Sequence, residues 1–203
     1  MTVRTFLAVA LLAPSLALAA PQSKSTSAQP ASTQSPTSGL EVGGFIGYEA
    51  ADFTGLALRA DVAVPFKELS PQVKLSFVGS LGYSYLTWDA FGATFKSNLF
   101  KIVPAARFTF PVAPQFDVFA DAGIGIAHAS VSVDVPFYGT VSDSSTNLMM
   151  RFGAGGWYHV NPKIKLGAMI DLDPIFGDYA TSTNGYGSSQ TFWSILFGAM
   201  FTL

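Results

Sequence analysis

The sequence predicts an all-β protein, an eight-stranded antiparallel up-and-down transmembrane β-barrel. Three observations lead to this fold class. The chain is 49% hydrophobic but only 12% charged, about half the charge that is usual for a soluble domain. Beyond the N-terminus, no window holds the roughly 18 consecutive apolar residues that a spanning helix needs. Instead, short segments of alternating apolar and small or polar residues recur from residue 40 onward.

The first 39 residues have the composition of a targeting segment followed by a linker. Arg4 precedes a short apolar run, Phe6 to Leu12, and Ala17-Leu18-Ala19 supplies the small-x-small pattern of a cleavage site. Residues 1–19 therefore predict a secretory signal peptide. Residues 20–39 are rich in Ser, Thr, Pro and Gln and carry no large apolar side chain, so they predict a disordered periplasmic linker. The predicted barrel occupies residues 40–203.

Eight strand segments follow, separated by turn signals. They are 40–50, 54–66, 73–86, 99–110, 117–130, 147–160, 163–173 and 191–203. Three links, at KELSPQ, VAPQFD and NPK, are short and contain Pro, whereas 87–98, 134–146 and 174–190 are longer and rich in Gly, Ser, Thr and aromatics. This alternation is typical of a barrel with tight turns on one side of a bilayer and loops on the other. An even strand number predicts that both chain ends are periplasmic.

The charged residues of each strand are separated by even numbers. One face of a strand in a closed barrel contacts lipid and the other faces the interior, so charges of one parity predict a charged interior and an apolar outer surface. Six positive and seven negative residues have the interior parity: Glu41, Glu49, Arg59, Asp61, Lys74, Lys101, Arg107, Asp117, Asp121, Arg151, Lys165, Asp171 and Asp173. The near balance of charge predicts ion pairing inside the barrel.

Aromatic residues gather near both ends of the predicted strands, which is typical of the two interfacial girdles of a membrane barrel. The residues predicted to lie at the interfaces are Tyr83, Tyr85, Trp88, Trp157 and Tyr158, together with His128, which has outward parity near the loop end of the fifth strand.

Four stretches resemble the small eight-stranded outer-membrane β-barrel family, which comprises the OmpX-like proteins and the OmpA membrane domain. They are IVPAARFTFP, DVFADAGIGIA, GAGGWYHVNPKIKLGA and the alternating strand 192–203. The resemblance implies a location in the outer membrane, contacts with its lipids and lipopolysaccharide, and recognition of strand 192–203 by the outer-membrane assembly machinery. It implies no cofactor. The net charge of −2 also argues against a nucleic-acid partner.

The sequence offers two candidate chemical sites. His128-Ala129-Ser130 is similar to the His-x-Ser arrangement of outer-membrane lipid A deacylases. In that family, however, the motif lies on the strand that corresponds to Ile170 to Asp173 here, and this stretch contains neither His nor Ser. No catalytic residue is therefore predicted. Asp171 and Asp173 point the same way and could ligate a hard cation, although such a pair is more often a solvated barrel rim, and no metal site is predicted.

The leading functional prediction is a non-enzymatic envelope protein that stabilises the membrane or displays its loops to an extracellular ligand. An eight-stranded barrel has an interior about wide enough for side chains alone, so the interior charges are expected to form a plug. A small porin-like channel is the alternative that the charged interior keeps open. A lipid-modifying enzyme is a third alternative, for which the sequence lacks residues.

Overall fold

The computed structural model describes residues 39–90, 93–135, 139–177 and 189–203. The predicted signal peptide and nearly all of the predicted linker lie outside these residues. The described chain forms eight strands: β1 (Glu41–Ala50), β2 (Thr54–Ser70), β3 (Val73–Ala90), β4 (Ala93–Ala113), β5 (Phe116–Val135), β6 (Gly139–Asn161), β7 (Ile164–Phe176) and β8 (Gln190–Thr202).

The strands form a closed antiparallel barrel in chain order, which confirms the predicted fold class. The ring is closed by β1 and β8, which pair from Glu41 with Thr202 to Ala50 with Trp193. Closure leaves the apolar C-terminal strand without a free edge, because its backbone N–H and C=O groups must all be paired in lipid. No helix in the described ranges is long and apolar enough to cross a membrane.

Both ends of the barrel sequence lie at the end that carries the tight turns, which we call the turn end; the opposite end is the loop end. Each turn begins with a proline, namely Pro71, Pro114 or Pro162. Proline is favoured at the second position of a four-residue turn because its ring fixes φ. At the last turn, Asn161 Oδ1 also accepts the backbone N–H groups of Lys163 and Ile164, at 2.8 and 2.9 Å.

The two faces of the strands alternate as the parity of the charges predicts. On β5 the side chains of Ala122, Ile124 and Ile126 are exposed on the outer surface, whereas Asp121 and Ala127 are buried inside. The predicted outer row of β8 is likewise exposed at Trp193, Ile195, Phe197, Phe201 and Leu203. The outer surface is therefore an apolar belt of the kind that contacts acyl chains.

Six strands are longer than the sequence predicts: β2 continues to Ser70, β7 continues to Phe176, and the neighbouring strands β3 to β6 extend furthest, at the loop end. Segments 87–90, 93–98 and 139–146, predicted as loops, continue β3, β4 and β6 as regular strand, and β5 likewise runs on to Val135. The prediction failed because segments 93–98 and 139–146 are rich in Ser and Thr and alternate only weakly between apolar and polar residues. We call residues 87–90, 93–98, 128–135 and 139–146 the protruding sheet.

Pro104 relaxes one ladder without breaking the register. It is paired with Gly79 of β3, but on the β5 side the pairing stops at Ile102–Ile126 and resumes at Ala105–Gly123 in the same register. A proline has no N–H to donate, which explains the gap. Because the register is unchanged across the gap, the pairing is relaxed here and no bulge is formed.

The belt predicts the effect of a charge on the outer surface. We expect Ile124→Arg, in the middle of β5, to lower the free energy of unfolding by about 2–4 kcal/mol because the guanidinium enters hydrocarbon near the midplane. Denaturant titration of the protein in lipid vesicles measures this change. Ser142→Arg, at an exposed outward position of the protruding sheet, is the control and should leave stability nearly unchanged. Equal effects at both positions would contradict the placement of the belt.

Candidate functional site

Nine charged side chains are almost completely buried near the middle of the barrel interior. They come from six strands, and we call them the central ion network: Glu49, Arg59, Asp61, Lys101, Arg107, Asp121, Arg151, Asp171 and Asp173. Burying a charge away from water is costly unless it is paired and hydrogen-bonded, so the contacts within this group determine whether the interior is stable.

One half of the central ion network is built around two arginines. Arg59 contacts Asp61 of its own strand through Nε and Nη2, at 2.6 and 2.8 Å, and reaches Asp171 through Nη1 at 2.7 Å. Arg107 makes a two-pronged contact with Asp121, through Nε and Nη2 at 2.7 Å each. Its Nη2 also lies 3.0 Å from Asp61 Oδ2, which joins the two arginines. Such two-pronged guanidinium–carboxylate pairs are among the strongest hydrogen-bonded contacts in proteins.

The other half is built around Lys101. Its Nζ donates to both oxygens of Glu49 at 2.7 Å and to Asp173 Oδ2 at 2.8 Å. Arg151 completes the group with a two-pronged contact to Asp173 at 2.9 Å for both bonds. The halves meet where Arg151 Nε lies 4.0 Å from Asp171 Oδ2. The paired charges therefore form one connected layer across the interior.

Apolar side chains lie on either side of this layer. Along β6 the inward residues run from Met149 at the loop side, through Arg151, to Trp157 at the turn side, and along β7 Ile175 and Met169 flank the two aspartates. The loop-side cluster also contains Phe53, Leu86, Leu99 and Phe192. The turn-side cluster also contains Phe45, Phe119, Leu196 and Met200. Buried apolar layers next to the ions are poor surroundings for a water-filled path.

A glycine opposite Asp171 makes room for the carboxylates. Gly153 of β6 is paired with Asp121 on one side and Asp171 on the other. A Cβ atom at this position would collide with Asp171 Oδ1 and would lie 3.4 Å from Asp121 Cβ. Two acidic side chains can therefore face the same space only because the residue between them has none.

The remaining interior ions lie at the turn end, outside the central ion network. Lys165 Nζ contacts Glu41 Oε1 at 2.6 Å, and His159 Nε2 contacts Asp117 Oδ2 at 2.7 Å. His159 has interior parity, but the sequence reasoning missed it because it counted only residues that are charged at neutral pH. Lys74 is exposed at the rim, and it takes part in none of the ion pairs found in the described chain.

The predicted interfacial residues fall into two groups. Tyr85 and Tyr158 are exposed on the outer surface, and Tyr83, half-buried there, donates its hydroxyl to Asn98 Oδ1 at 2.7 Å. The prediction for Trp157 is wrong, because this side chain is buried inside the barrel. The Trp157 ring stacks on Phe119 with centroids 5.1 Å apart, and its strand parity matches that of Arg151. The side chain of Trp88 lies outside the described part of the chain.

The two chemical candidates from the sequence have ordinary surroundings. His128 is exposed on the outer surface, and its Nδ1 lies 2.8 Å from the hydroxyl of Thr146 on the neighbouring strand. Asp171 and Asp173 are buried and contacted by Arg59, Arg151 and Lys101, so their cationic partners are side chains of this chain and they do not form a solvated rim.

The protruding sheet is polar on its outward side, whereas its other side is mixed, with Ser97, Asp143 and Ser145 beside apolar residues. His128 and Thr146 mark the boundary, since the outward residues one pair further toward the turn end, Ile126 and Leu148, belong to the apolar belt. Toward the loop end, Lys96 Nζ lies 3.0 Å from Asp134 Oδ2. The opposite side carries a cross-strand apolar row, in which Phe95 is paired with Val133 and Val133 with Val141.

Exposed polar contacts order the outward side of the sheet. The hydroxyl of Thr140 donates to Asp134 Oδ1 at 2.7 Å, and this bond, together with the Lys96 ammonium, lowers the pKa of Asp134. The same carboxylate raises the pKa of Lys96. Hydrogen bonds to the charged forms of both groups cause these shifts, so the pair is ionised at neutral pH.

The central ion network predicts a strong effect of removing one partner. We expect Arg107→Met to lower the free energy of unfolding by about 3–5 kcal/mol, because Asp121 would remain buried without its two-pronged partner. The double variant R107M/D121L should recover most of the loss, since two apolar side chains need no counter-ion. Denaturant titration in lipid vesicles measures both. Lys96→Met, which removes an exposed pair, is the control, and a loss as small as that of Lys96→Met would contradict the predicted coupling.

The comparisons with known proteins agree with this architecture. The protein resembles the crystal structure of Neisserial surface protein A at 17% identity and a TM-score of 0.59, with 81% of this chain and 96% of that chain covered. A major outer membrane protein from Thermus thermophilus is similar at 14% identity and a TM-score of 0.58, covering 81% and 98%. The outer membrane enzyme PagL is similar at 17% identity and a TM-score of 0.49, covering 80% and 99%.

The similarities to Neisserial surface protein A and to the Thermus thermophilus protein concern the fold. No curated protein matches the sequence. The model of the outer membrane protein beta-barrel domain matches residues 8–201, almost the whole chain. Together with the closed eight-stranded barrel and its apolar belt, this match shows that the chain belongs to the outer membrane protein beta-barrel family and is a protein of the outer membrane.

Proposed function

We propose that this protein is a non-enzymatic outer-membrane anchor, in which a plugged barrel holds the protruding sheet outside the cell for binding. The observation that carries the proposal is the continuation of β3 to β6 as regular strand beyond the apolar belt. A surface that is already ordered loses little conformational entropy on binding, which favours recognition over a merely structural role.

Among the described residues, the β7 side of the protruding sheet has no strand beside it, and this edge supports binding of an extended polypeptide. Along β6, pairing with β7 reaches Leu148 and Phe176, and no described strand pairs with the β7 side of residues 139–146. Backbone N–H and C=O groups along such an edge can accept an added strand. A strand placed there would present alternate side chains to the apolar row that ends at Val141, which is 62% exposed. We therefore propose that an extended peptide with apolar residues at every second position is the preferred ligand.

We propose that the barrel does not conduct ions. The charges of the central ion network are engaged in short contacts with one another, and apolar clusters lie on both sides of that layer. Because of these contacts and clusters, we prefer a plugged interior to the porin-like channel that a charged interior suggests.

We also propose that the protein is not an enzyme. His128 and Ser130 lie on the outward side of β5, and the partner found for the imidazole is a threonine hydroxyl, not a carboxylate that could orient a base. PagL has an enzyme's function on a similar barrel, but that similarity concerns the fold and does not assign chemistry to residues of this chain.

The proposed orientation follows from the binding role. The protruding sheet lies at the loop end, so we place the loop end outside the cell and both chain ends in the periplasm, after removal of a signal peptide at residues 1–19. Lipids and lipopolysaccharide would surround the apolar belt. The outer-membrane assembly machinery would recognise strand 192–203, whose outward row of large apolar residues is exposed until the barrel meets lipid.

Conductance measurements test the plug. We expect residues 20–203, folded into a planar bilayer, to give no stable current steps, because paired charges and apolar layers fill the interior. Folding is verified beforehand by resistance to protease in vesicles. Ion-selective steps that shift in Arg107→Met or Asp121→Asn would instead support the porin-like alternative.

Two matched truncations test the binding edge. One variant replaces residues 131–143 by Asn-Gly, which removes the β6 edge, and the other replaces residues 87–96 by Asn-Gly, which shortens the β3–β4 hairpin and keeps that edge. Asn-Gly suits a two-residue hairpin turn. A random twelve-residue peptide library is selected against the full protein in nanodiscs, and the enriched peptides are then measured on all three proteins.

We expect the enriched peptides to alternate apolar and polar residues. We also expect them to lose at least tenfold in affinity for the 131–143 variant but to keep their affinity for the 87–96 variant. Equal affinity for the full protein and the 131–143 variant would contradict binding at this edge.

A further inference from the structure

The outer wall of the barrel contains a groove that the binding proposal does not use. It has a volume of about 780 Å³ and crosses the outer surface from β2 to β6, between Val62 and Val64 at one end and Met150 and Phe152 at the other. Pockets that hold one small ligand have volumes of this order. We call it the wall groove.

The wall groove exists because four neighbouring outward positions carry small or rigid residues. Gly79 is paired with Pro104, and Ala106 with Ala122, so these residues form one contiguous floor across three strands. A Cβ atom added to Gly79 would meet no heavy atom within 4 Å. Large residues, Phe77 and Ile124, stand beside this floor and are more than half exposed, at 52% and 55%.

The surroundings of the wall groove point to its occupant. The groove lies within the apolar belt, where the neighbouring medium is hydrocarbon, so an apolar chain fills it without any loss of hydrogen bonds. At the turn side, a register shift between Pro65 and Lys67 pairs the exposed Lys67 with Leu75, while the groove-lining Val64 is paired with Phe77. Lys67 therefore shares the outward side with Val64 and lies about 7 Å from it along the strand direction. Between them Phe66 contacts Phe77 edge-on, with centroids 4.8 Å apart, and gives an apolar path from groove to lysine.

We propose that the wall groove binds one acyl chain of an anionic phospholipid from the turn-side leaflet, with Lys67 contacting its phosphate. The apolar floor favours an acyl chain, and the lysine favours an anionic headgroup, because a cation near a membrane surface attracts anionic headgroups. The lipid fills the depression, since voids beside close-packed side chains lose dispersion contacts.

Native mass spectrometry of the full protein, released from nanodiscs of phosphatidylglycerol and phosphatidylethanolamine into mild detergent, tests this proposal. The double variant G79L/A106L fills the floor with apolar side chains that remain compatible with the belt. Gly44→Leu is the matched control, because Gly44 is also an exposed outward glycine whose added Cβ meets nothing within 4 Å. Lys67→Gln tests the headgroup contact separately.

We expect the wild-type protein and Gly44→Leu to retain one phosphatidylglycerol, and G79L/A106L to retain at least tenfold less at equal folded yield. Lys67→Gln should still retain a lipid but lose the preference for phosphatidylglycerol. Equal retention in G79L/A106L and wild type, or no retained lipid in any protein, would overturn the proposal. A dimer mass that disappears in G79L/A106L would overturn it in favour of a second copy as the occupant, and an unchanged lipid preference in Lys67→Gln would overturn the headgroup contact.

Discussion

Closure of the strand ladder is the constraint on which the rest of this structure depends. In hydrocarbon, a backbone N–H or C=O group without a partner costs several kcal/mol, so a sheet that crosses a bilayer cannot keep an edge. Here β1 and β8 meet that requirement over all ten residues of β1. Within the belt of the closed sheet, each side chain lies either outside, against lipid, or inside, against side chains of other strands. The apolar belt and the buried charges follow from that division.

Closure also places polar side chains in the narrow interior of the barrel. Eight strands enclose a space too narrow for bulk water, so polar side chains placed there must pair with one another. The central ion network does so with guanidinium forks, a shared lysine and two serines, Ser80 and Ser84, which donate to Asp61 and Glu49 at 2.8 and 2.7 Å. Arg107 also lies over the Phe119 ring, with Cζ 4.5 Å from the centroid. The central ion network is therefore in contact with the turn-side apolar cluster.

The strands, their two faces and the closed barrel could be predicted from the sequence, because all three follow from the alternation of apolar and polar residues along each strand. That alternation is visible in a single sequence. The partner of each charge could not be predicted. Arg59 contacts Asp171, for example, only because of the relative register of strands that are far apart in sequence. Trp157 was placed at an interface because aromatic residues near strand ends usually lie there, although its own parity pointed inward. The protruding sheet was not predicted because its Ser- and Thr-rich segments, 93–98 and 139–146, alternate only weakly between apolar and polar residues.

The sequence separation of the buried pairs has a consequence for how the barrel enters the membrane. Arg59 and Asp171 are 112 residues apart, and Lys165 and Glu41 are 124 apart. Contacts between such distant residues form only after long stretches of chain have been ordered, which makes them late events in folding. If the strands crossed the bilayer one at a time, all but β8 would carry charges through hydrocarbon, without the partners that other strands supply. A route on which the sheet curls and its charges meet before the sheet is fully submerged avoids that barrier, so insertion and closure are coupled steps.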